Sequence, residues 1–168
     1  MPDVVVRPVR PSDAEAFTEI RLLPSVLETM CSMPSERAAD RRKTLENLGA
    51  NEHVLVAEVD GKVVGVASLS VLGGRRRHVG DLSLAVHEEY QGRGIGRRLM
   101  QALLDVADNY LGLARTELEV VSDNTRAIRL YESLGFQVEG AKRGGYFRQG
   151  RLLDLVIMGR MRQPGGAS

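Results

Sequence analysis

The sequence predicts a single α/β domain built on a mixed sheet. Apolar runs with strand-like and helix-like periods alternate along the chain, which is typical of strands and helices that pack in layers. At 168 residues the chain fits one domain and is long enough to bury a core. It also carries no internal repeat and no stretch of linker composition that would divide it.

The amino-terminal part begins with a valine-rich strand followed by a helix. Valines at positions 4–6 and 9 predict the strand. Ser12 is placed to act as the N-cap of the helix, and Glu15 stands three residues later at capping-box spacing. Pro24 limits this helix. Beyond it we expect an irregular, partly apolar loop and a second helix, at residues 25–36 and 36–48.

Further strands and two helices follow in sequence order. Asp60-Gly61 is a hairpin signal between two of the strands. The longer of the two helices has a wide apolar face that must pack on a sheet. The predicted strands are 53–59, 63–71, 79–86, 116–121, 136–139, 145–148 and 152–161. The predicted helices are 97–111 and 125–134, and residues 163–168 are expected to form a disordered tail.

Composition excludes several classes of function. A net charge of +1 provides no global field that would recruit nucleic acid or a membrane. No apolar run approaches the roughly 20 residues that cross a bilayer, and the amino terminus lacks the pattern of a signal peptide. Cys31 is the single cysteine, which excludes an intramolecular disulfide and a multi-cysteine metal site. We therefore expect a cytoplasmic protein without a metal cofactor.

A glycine-rich loop is the most informative motif. The stretch Gln91-Gly92-Arg93-Gly94-Ile95-Gly96-Arg97 joins an apolar strand to a helix. Exposed backbone N–H groups at such a junction, together with the positive end of the helix dipole, suit a phosphate group. The spacing differs from the dinucleotide fingerprint G-x-G-x-x-G, and no lysine follows as in a Walker A loop. A simple structural turn is the alternative interpretation.

A second motif follows downstream, from Asp123 to Phe136. It reads D-N-T-R-A-I-R-L-Y-E-S-L-G-F. The two motifs in this order resemble the GCN5-related N-acetyltransferases, and the stretches 75–81 and 108–111 resemble the bacterial L-amino acid N-acetyltransferases. The resemblance implies a GNAT domain over residues 1–162, with a mostly antiparallel sheet that is splayed at the acetyl-CoA site. It further implies acetyl transfer from acetyl-CoA to a small-molecule amine, and a homodimer.

The resemblance also assigns a cofactor site. Loop amides would bind the pyrophosphate, and the strand before the loop would pair with the pantetheine arm. Asn124 would contact the pantetheine, although N-cap duty for the following helix is the alternative. The residues that carry these expectations are Leu84, Ala85, Val86, Gln91, Gly92, Arg93, Gly94, Ile95, Gly96, Arg97, Asn124 and Tyr131.

Two catalytic residues are expected. Tyr131 matches the family tyrosine near the coenzyme A sulfur, and as a protonated phenol it would donate to the leaving thiolate. A core tyrosine is the alternative. Asp81 is the candidate base, although an aspartate needs partial burial or a water relay for that role. An ion pair with an arginine is its alternative, and His78 and His87 are rival bases.

The acceptor site is the least determined part. By resemblance, it is walled by the loop between the first two helices and by the last hairpin. Its candidate residues are Leu27, Thr29, Met30, His78, Tyr146 and Phe147, with Met33 as a further possibility. A carboxylate on the substrate would need a cation, for which Arg77, Arg143 and Arg148 are candidates. We expect an apolar L-amino acid as acceptor, with N-terminal peptide acetylation and a non-catalytic acyl-CoA sensor as alternatives.

Overall fold

The computed structural model describes residues 2–162. The predicted disordered tail, residues 163–168, lies outside the described residues. The described strands are β1 (Val4–Pro8), β2 (Glu52–Val59), β3 (Lys62–Val71), β4 (Val79–Val86), β5 (Arg115–Val121), β6 (Gln137–Arg148) and β7 (Arg151–Met161). The described α-helices are α1 (Ala14–Leu22), α2 (Pro24–Leu27), α3 (Ala38–Glu46), α4 (Ile95–Asp105) and α5 (Thr125–Ser133).

Two compact units are present within the described residues. The first comprises the residues up to Ser70 together with Ser83–Leu104, and the second comprises Val71–Leu82 and the residues from Asp105 onward. Strand order is β1-β2-β3-β4 in the first unit and β4-β5-β7-β6 in the second. The pairs β1–β2, β2–β3, β5–β7 and β6–β7 are antiparallel, whereas β4–β5 is parallel. The predicted mixed, mostly antiparallel sheet is therefore confirmed.

In the first unit, helices cover both faces of the strands. Phe17 and Ile20 of α1 and Leu45 of α3 are buried in one cluster with strand residues that include Val56 and Val66. On the opposite face, Gly65 of β3 meets α4, because a Cβ built on it would lie 2.9 Å from Cδ1 of Leu99. Strand alternation places residues 65 and 66 on opposite faces. The glycine allows α4, and with it the loop that precedes this helix, to approach the strand closely.

The start of α1 differs from the prediction. The carboxylate of Asp13 accepts the backbone N–H of Arg10 at 2.7 Å, and Nη1 and Nη2 of the Arg7 guanidinium each donate to it at 2.9 Å. Asp13 is the last residue of the 3-10 turn Pro11–Asp13 and directly precedes α1. The predicted capping box of Ser12 and Glu15 was wrong, because an arginine of β1 holds the neighbouring aspartate at the helix start.

Two further helix predictions need correction. Residues 25–36 are not wholly irregular, since α2 occupies Pro24–Leu27 with proline at its first position, where the missing N–H costs no hydrogen bond. The predicted helix 97–111 begins earlier, at Ile95. It passes at Val106 into the π-helical turn Val106–Tyr110, where the N–H of Leu111 donates to the carbonyl of Val106 at 2.9 Å.

In the second unit, β5 has one buried and one polar face. Thr116, Leu118 and Val120 are buried, whereas the alternating positions 115, 117 and 119 carry charged side chains. The parallel ladder with β4 joins Val79–Asp81 to Arg115–Glu117 and ends there. The pairing of β4 with β5 therefore stops before Leu84, where the two strands are expected to separate.

The last hairpin also differs from the prediction. The two strands predicted at 136–139 and 145–148 are one strand, β6, which pairs with β7 in three segments. Its register shifts twice, between Val138 and Gly140 and between Lys142 and Tyr146. These irregularities interrupt the alternation of side chains between the two faces of the strand. For this reason the sequence pattern predicts two separate strands.

Candidate active site

The glycine loop leads directly into α4, as its sequence predicts. Gly92 and Gly94 have φ angles of 77° and 79°, which favour glycine. Ile95 is buried and anchors the first turn, where the N–H of Arg98 donates to the carbonyl of Gly94 at 3.1 Å. The N–H groups before that of Arg98 have no carbonyl partner within the helix, so they can bind an anion at the helix start.

This loop fits the diphosphate of a coenzyme A molecule. A Cβ built on Gly94 would meet nothing within 4 Å, so there is space directly against the backbone. Arg93 and Arg97 are exposed beside it. The amide of Gln91 donates to the carbonyl of Val86 at 3.0 Å and ties the loop to the end of β4. Amides, open space and cations together are the donor set that a diphosphate requires.

The ring of Tyr90 contacts two cationic side chains near this loop. Its ring lies 5.1 Å from the guanidinium carbon of Arg93 and 5.9 Å from the amine of Lys62. His87 packs edge-on against the same ring, and its Nδ1 accepts the N–H of Glu89 at 3.3 Å. His87 is buried, and its ring and Nδ1 both make local contacts.

The strand before the loop carries the predicted pantetheine positions. Ala85 is buried, and Leu84 and Val86 are half-buried. The N–H of His87 donates to the carbonyl of Val64 on β3 at 2.8 Å, so this end of β4 is held by β3.

Asp81 lies in a layer of charged residues in the second unit. It stands opposite Glu117 in the parallel register. Although Asp81 is an exposed residue, desolvation of its carboxyl group by the surrounding atoms, and then the negative charges of Glu117 and Glu119, raise its pKa to about 6. Arg76 and Lys142 oppose this shift. A carboxylate with such a pKa is a stronger base near neutral pH than an ordinary aspartate.

The neighbours of Asp81 are themselves paired. Glu117 accepts from Arg76 at 2.8 Å and from Arg115 at 3.0 Å, and Glu119 pairs with Lys142. Arg115 also binds Glu139. The predicted alternative for Asp81, an ion pair with an arginine, is not among the ion pairs of the described residues, because the nearby arginines bind the glutamates instead.

Tyr131 is buried on α5, where its ring packs at 6.1 Å against that of Phe136. Burial raises the pKa of Tyr131 to about 12, so the phenol stays protonated at neutral pH. Asn124 caps α5, since its Oδ1 accepts the N–H of Ala127 at 3.3 Å. The alternative predicted for Asn124 is therefore present in the structure.

A small pocket opens in the first unit. It holds about 220 Å³ of empty space, part of it open to solvent. Its walls come from α1, β3, β4 and the segment after α2. The lining residues are Phe17, Arg21, Met30, Val66, Ala67, Ser68, Ser83 and Ala85. Met30 was predicted for the acceptor site and Ala85 for the cofactor site, whereas the other six were missed. Phe17 and Arg21 are spaced i and i+4 on one helix, a signal that was available in the sequence.

The remaining acceptor candidates lie in different surroundings. The hydroxyl of Thr29 donates to the carbonyls of Ser25 and Val26 within its own turn. Tyr146 is buried in a cluster with Val121 and Leu155, which is the core packing that sequence left open as its alternative. Phe147, Met33 and His78 are exposed, and Leu27 is half-buried.

The predicted carboxylate-binding arginines all lie in the second unit. Arg148 pairs with Asp123, and Arg77 and Arg143 are exposed. Within residues 2–162, no three His, Cys, Asp or Glu side chains come together as a metal ion would require. Nor does any helix in that range have the length and apolar character needed to cross a bilayer.

Comparison with known proteins gives concordant matches. Residues 18–136 match the model of the Acetyltransferase (GNAT) family. The chain is 32% identical over 170 residues to the L-amino acid N-acetyltransferase AaaT of Escherichia coli (strain K12), which covers 96% of this chain and 100% of that protein. It is 40% identical to the N-alpha-acetyltransferase RimI of Mycobacterium tuberculosis, over 57% of this chain and 59% of that protein.

A solved structure extends the similarity to three dimensions. The acetyltransferase yncA of Salmonella typhimurium, solved with its cofactor acetyl-CoA, superimposes with a TM-score of 0.84 at 29% identity. The match covers 99% of this chain and 98% of that one.

Proposed function

Because this chain belongs to the Acetyltransferase (GNAT) family and is an acetyl-CoA-dependent N-acetyltransferase, we propose that it acetylates the α-amino group of an apolar L-amino acid or a close analogue. The observation that carries this proposal is the pocket of the first unit. Phe17, Met30 and Val66 give it an apolar lining, and Met30 adapts readily to different side chains.

Sequence similarity supports the same substrate class. The alignment with AaaT spans the whole of that protein, including the region that contributes Phe17 and Met30 here. The alignment with RimI covers little more than half of either chain. We therefore rank a free amino acid above the N-terminus of a protein as the acceptor.

The reaction exchanges one bond at the acetyl carbon. When bound, acetyl-CoA supplies an acetyl group activated as a thioester. The amine nitrogen attacks the carbonyl carbon, so that a C–N bond forms and the C–S bond breaks. The ammonium nitrogen loses two protons overall, and the sulfur leaves as the free thiol. One proton is therefore released for each acetyl group transferred.

Asp81 and Tyr131 have the proton affinities that these steps need. In our proposal Asp81 accepts a proton from the ammonium group, directly or through water, and passes it to solvent. Tyr131 donates its phenolic proton to the leaving sulfur and regains one from the second proton that the nitrogen loses. The pKa of about 6 for Asp81 and about 12 for Tyr131 separate the base from the acid.

The chain's own backbone would hold the donor. In the proposal, amides of the loop from Gln91 to Arg97 bind the diphosphate. The backbone of Leu84, Ala85 and Val86 pairs with the pantetheine arm, and one N–H there polarises the thioester carbonyl. Asn124, at the start of α5, contacts the pantetheine arm. We further propose that the domain spans residues 1–162, that the protein is a homodimer, and that it acts in the cytoplasm.

A substrate panel tests the proposal directly. Acetyl-CoA turnover is followed by thiol release with the free L-amino acids, spermidine, kanamycin and short N-terminal peptides at equal concentrations. We expect the highest kcat/KM with methionine- or phenylalanine-like amino acids. Comparable turnover of spermidine or kanamycin would refute an amino acid substrate, and a preference for peptides would favour N-terminal acetylation. Acetyl-CoA binding without any turnover would indicate a sensor.

A further inference from the structure

One charged side chain lines the apolar pocket of the first unit. Of its eight lining residues, seven are apolar or carry a hydroxyl group, and the eighth is Arg21. Arg21 lies on α1, one helical turn beyond Phe17. Its side chain is 17% exposed, so its charge is partly shielded from solvent. A partly desolvated cation in a small pocket interacts more strongly with an anionic group than a surface arginine does.

Glu36 fixes the orientation of this guanidinium. Nε and Nη2 of Arg21 donate to the two carboxylate oxygens at 2.9 and 3.0 Å, which is a bidentate pair. Nη1 of Arg21 has no hydrogen-bond partner among the residues that the structure describes. Two nitrogens are thus used for positioning, and the third remains for a ligand.

The local charge stays positive despite this ion pair. Glu36 also accepts from Nη2 of Arg41 at 3.2 Å, and the guanidinium of Arg41 stacks on the ring of Phe17 at 4.5 Å. Two arginines therefore share one carboxylate. Hydrogen bonding to Arg21 is the main cause that lowers the pKa of Glu36, to about 2, so this trio carries one net positive charge at neutral pH.

Hydroxyl groups add polar partners on another wall. The Oγ atoms of Ser68 on β3 and Ser83 on β4 lie within hydrogen-bonding distance of each other. The pocket thus combines an apolar lining, two hydroxyl groups and one oriented cation. This composition matches a small molecule with an apolar side chain and a carboxylate.

We propose that Arg21, held in place by Glu36, binds the α-carboxylate of the amino acid acceptor. This inference rests on the proposed function and adds the group by which the enzyme tells an amino acid from other amines. Arg21 replaces Arg77, Arg143 and Arg148 in this role. A polyamine would meet the net positive charge, and a peptide N-terminus would present a neutral amide where the carboxylate binds.

The test compares L-methionine with L-methioninamide, which has nearly the same size but no negative charge. We expect the wild-type enzyme to prefer methionine by about 10- to 100-fold in kcat/KM, the range of a hydrogen bond to a charged group. Arg21→Gln should lower kcat/KM for methionine by that factor and leave methioninamide within about 2-fold, so that the preference disappears. Arg37→Gln is the matched control, because Arg37 is exposed and pairs with Asp40 away from the pocket.

A second variant guards against misfolding. Arg21→Lys keeps the charge but loses the planar fork, so it should raise the KM for methionine several-fold while methioninamide is unaffected. If either variant lowers turnover of both substrates equally, with acetyl-CoA binding and thermal melting unchanged, Arg21 has no role in carboxylate binding.

The outcomes also separate this inference from the proposed function. A wild-type preference for methionine that persists in Arg21→Gln leaves the amino acid substrate standing and overturns the role of Arg21. A wild-type enzyme that turns over methioninamide or peptides better than methionine overturns the proposed substrate, and the role of Arg21 falls with it.

Discussion

The phenol of Tyr131 is buried and retains its proton at neutral pH. If this group is the acid, Tyr131→Phe should lower kcat by about 100-fold or more, the usual contribution of general acid catalysis. The packing against Phe136 survives the change, so the Tm should move little. Steady-state thiol release from pH 6 to 9 measures the effect. Tyr110→Phe, at an exposed position, is the control and should behave as wild type. An unchanged kcat at every pH would exclude the acid role.

Asp81 makes a pH dependence testable. A base must be deprotonated, so kcat/KM should fall as the pH drops through about 6. Glu117 raises the pKa of Asp81 through its negative charge. Removing that charge in Glu117→Gln lowers the pKa, and the acidic limb should move to lower pH.

Glu139→Gln supplies the control for this shift. Glu139 is a carboxylate of the same charged layer, but it is not among the charges that set the pKa of Asp81. Its pH profile should match that of the wild type. An acidic limb that stays in place in Glu117→Gln would assign the base to another group.

Residue types were easier to predict than residue neighbours. The sequence marked Tyr131 and Asp81 as candidates, and their surroundings in the structure raise the pKa of each. The sequence did not reveal that Arg21 lines a pocket, because its orientation depends on Glu36, fifteen positions away. Likewise, nothing local indicated that Glu117 would stand beside Asp81 across two parallel strands.

A glycine in the loop before α4 can matter for two reasons: its positive φ angle, and close approach of acetyl-CoA to the backbone. A matched pair of variants separates these two effects. Gly94 and Gly112 both have positive φ, and a Cβ on either would meet nothing within 4 Å. Each change to alanine should cost about 1–2 kcal/mol of unfolding free energy from backbone strain. Only Gly94→Ala should weaken acetyl-CoA binding, by about 10-fold for one lost charge-assisted hydrogen bond. Urea denaturation and calorimetry measure the two effects. Equal affinities in both variants would exclude the loop as the binding element.

The contact between β3 and α4 links strand packing to the same loop. In Gly65→Ala the new methyl group would lie 2.9 Å from Cδ1 of Leu99, so the fully buried leucine or the helix that carries it must shift. We expect a loss of about 1–3 kcal/mol from overpacking and a higher KM for acetyl-CoA, since the start of α4 must shift. Gly49→Ala, with open space around it, should stay within about 0.5 kcal/mol of wild type. An unchanged KM in a destabilised Gly65→Ala would show that the helix start does not transmit the strain.

Helices and strands with a clear hydrophobic periodicity were predicted well. Features that depend on residues distant in the sequence were not. The boundaries of β4 were predicted to the residue, and the hairpin at Asp60-Gly61 has the positive φ angles expected there. The predicted cap of α1 was wrong because Arg7, on strand β1, binds Asp13 at the start of this helix. The four-residue helix α2 is too short to show a period, and the bulges of β6 hide its continuity.

For the whole molecule, ligand binding should appear as added stability. At about 100 times its Kd, acetyl-CoA should stabilise the native state by about 2.7 kcal/mol. For a chain of this size that corresponds to a rise in Tm of roughly 5–10 °C. NAD is the control and should give no shift, because the glycine spacing differs from the dinucleotide fingerprint. A comparable shift with NAD would contradict the assignment of the loop.

At this scale the fold class followed from two motifs in a fixed order, and the mixed sheet confirmed it. The substrate pocket could not be derived in the same way. Its walls come from α1, the segment after α2, β3 and β4, which are separated in sequence by up to about seventy positions, and no local pattern records that they meet. A binding motif that is contiguous in the sequence can therefore be recognised from the sequence alone. A pocket assembled from distant segments cannot.

The interruptions in β6 have a consequence for the protein in concentrated solution. β6 is the last strand of the sheet, so its outer side offers backbone groups to any strand that approaches. Its two register shifts divide the ladder into segments of two or three paired residues. Such segments are shorter than the six or seven residues that sustain cross-β stacking, and Lys142 and Arg143 add charge at the break. We therefore expect the same irregularity that hid this strand from prediction to disfavour the addition of further strands at this edge and so to slow aggregation into fibrils.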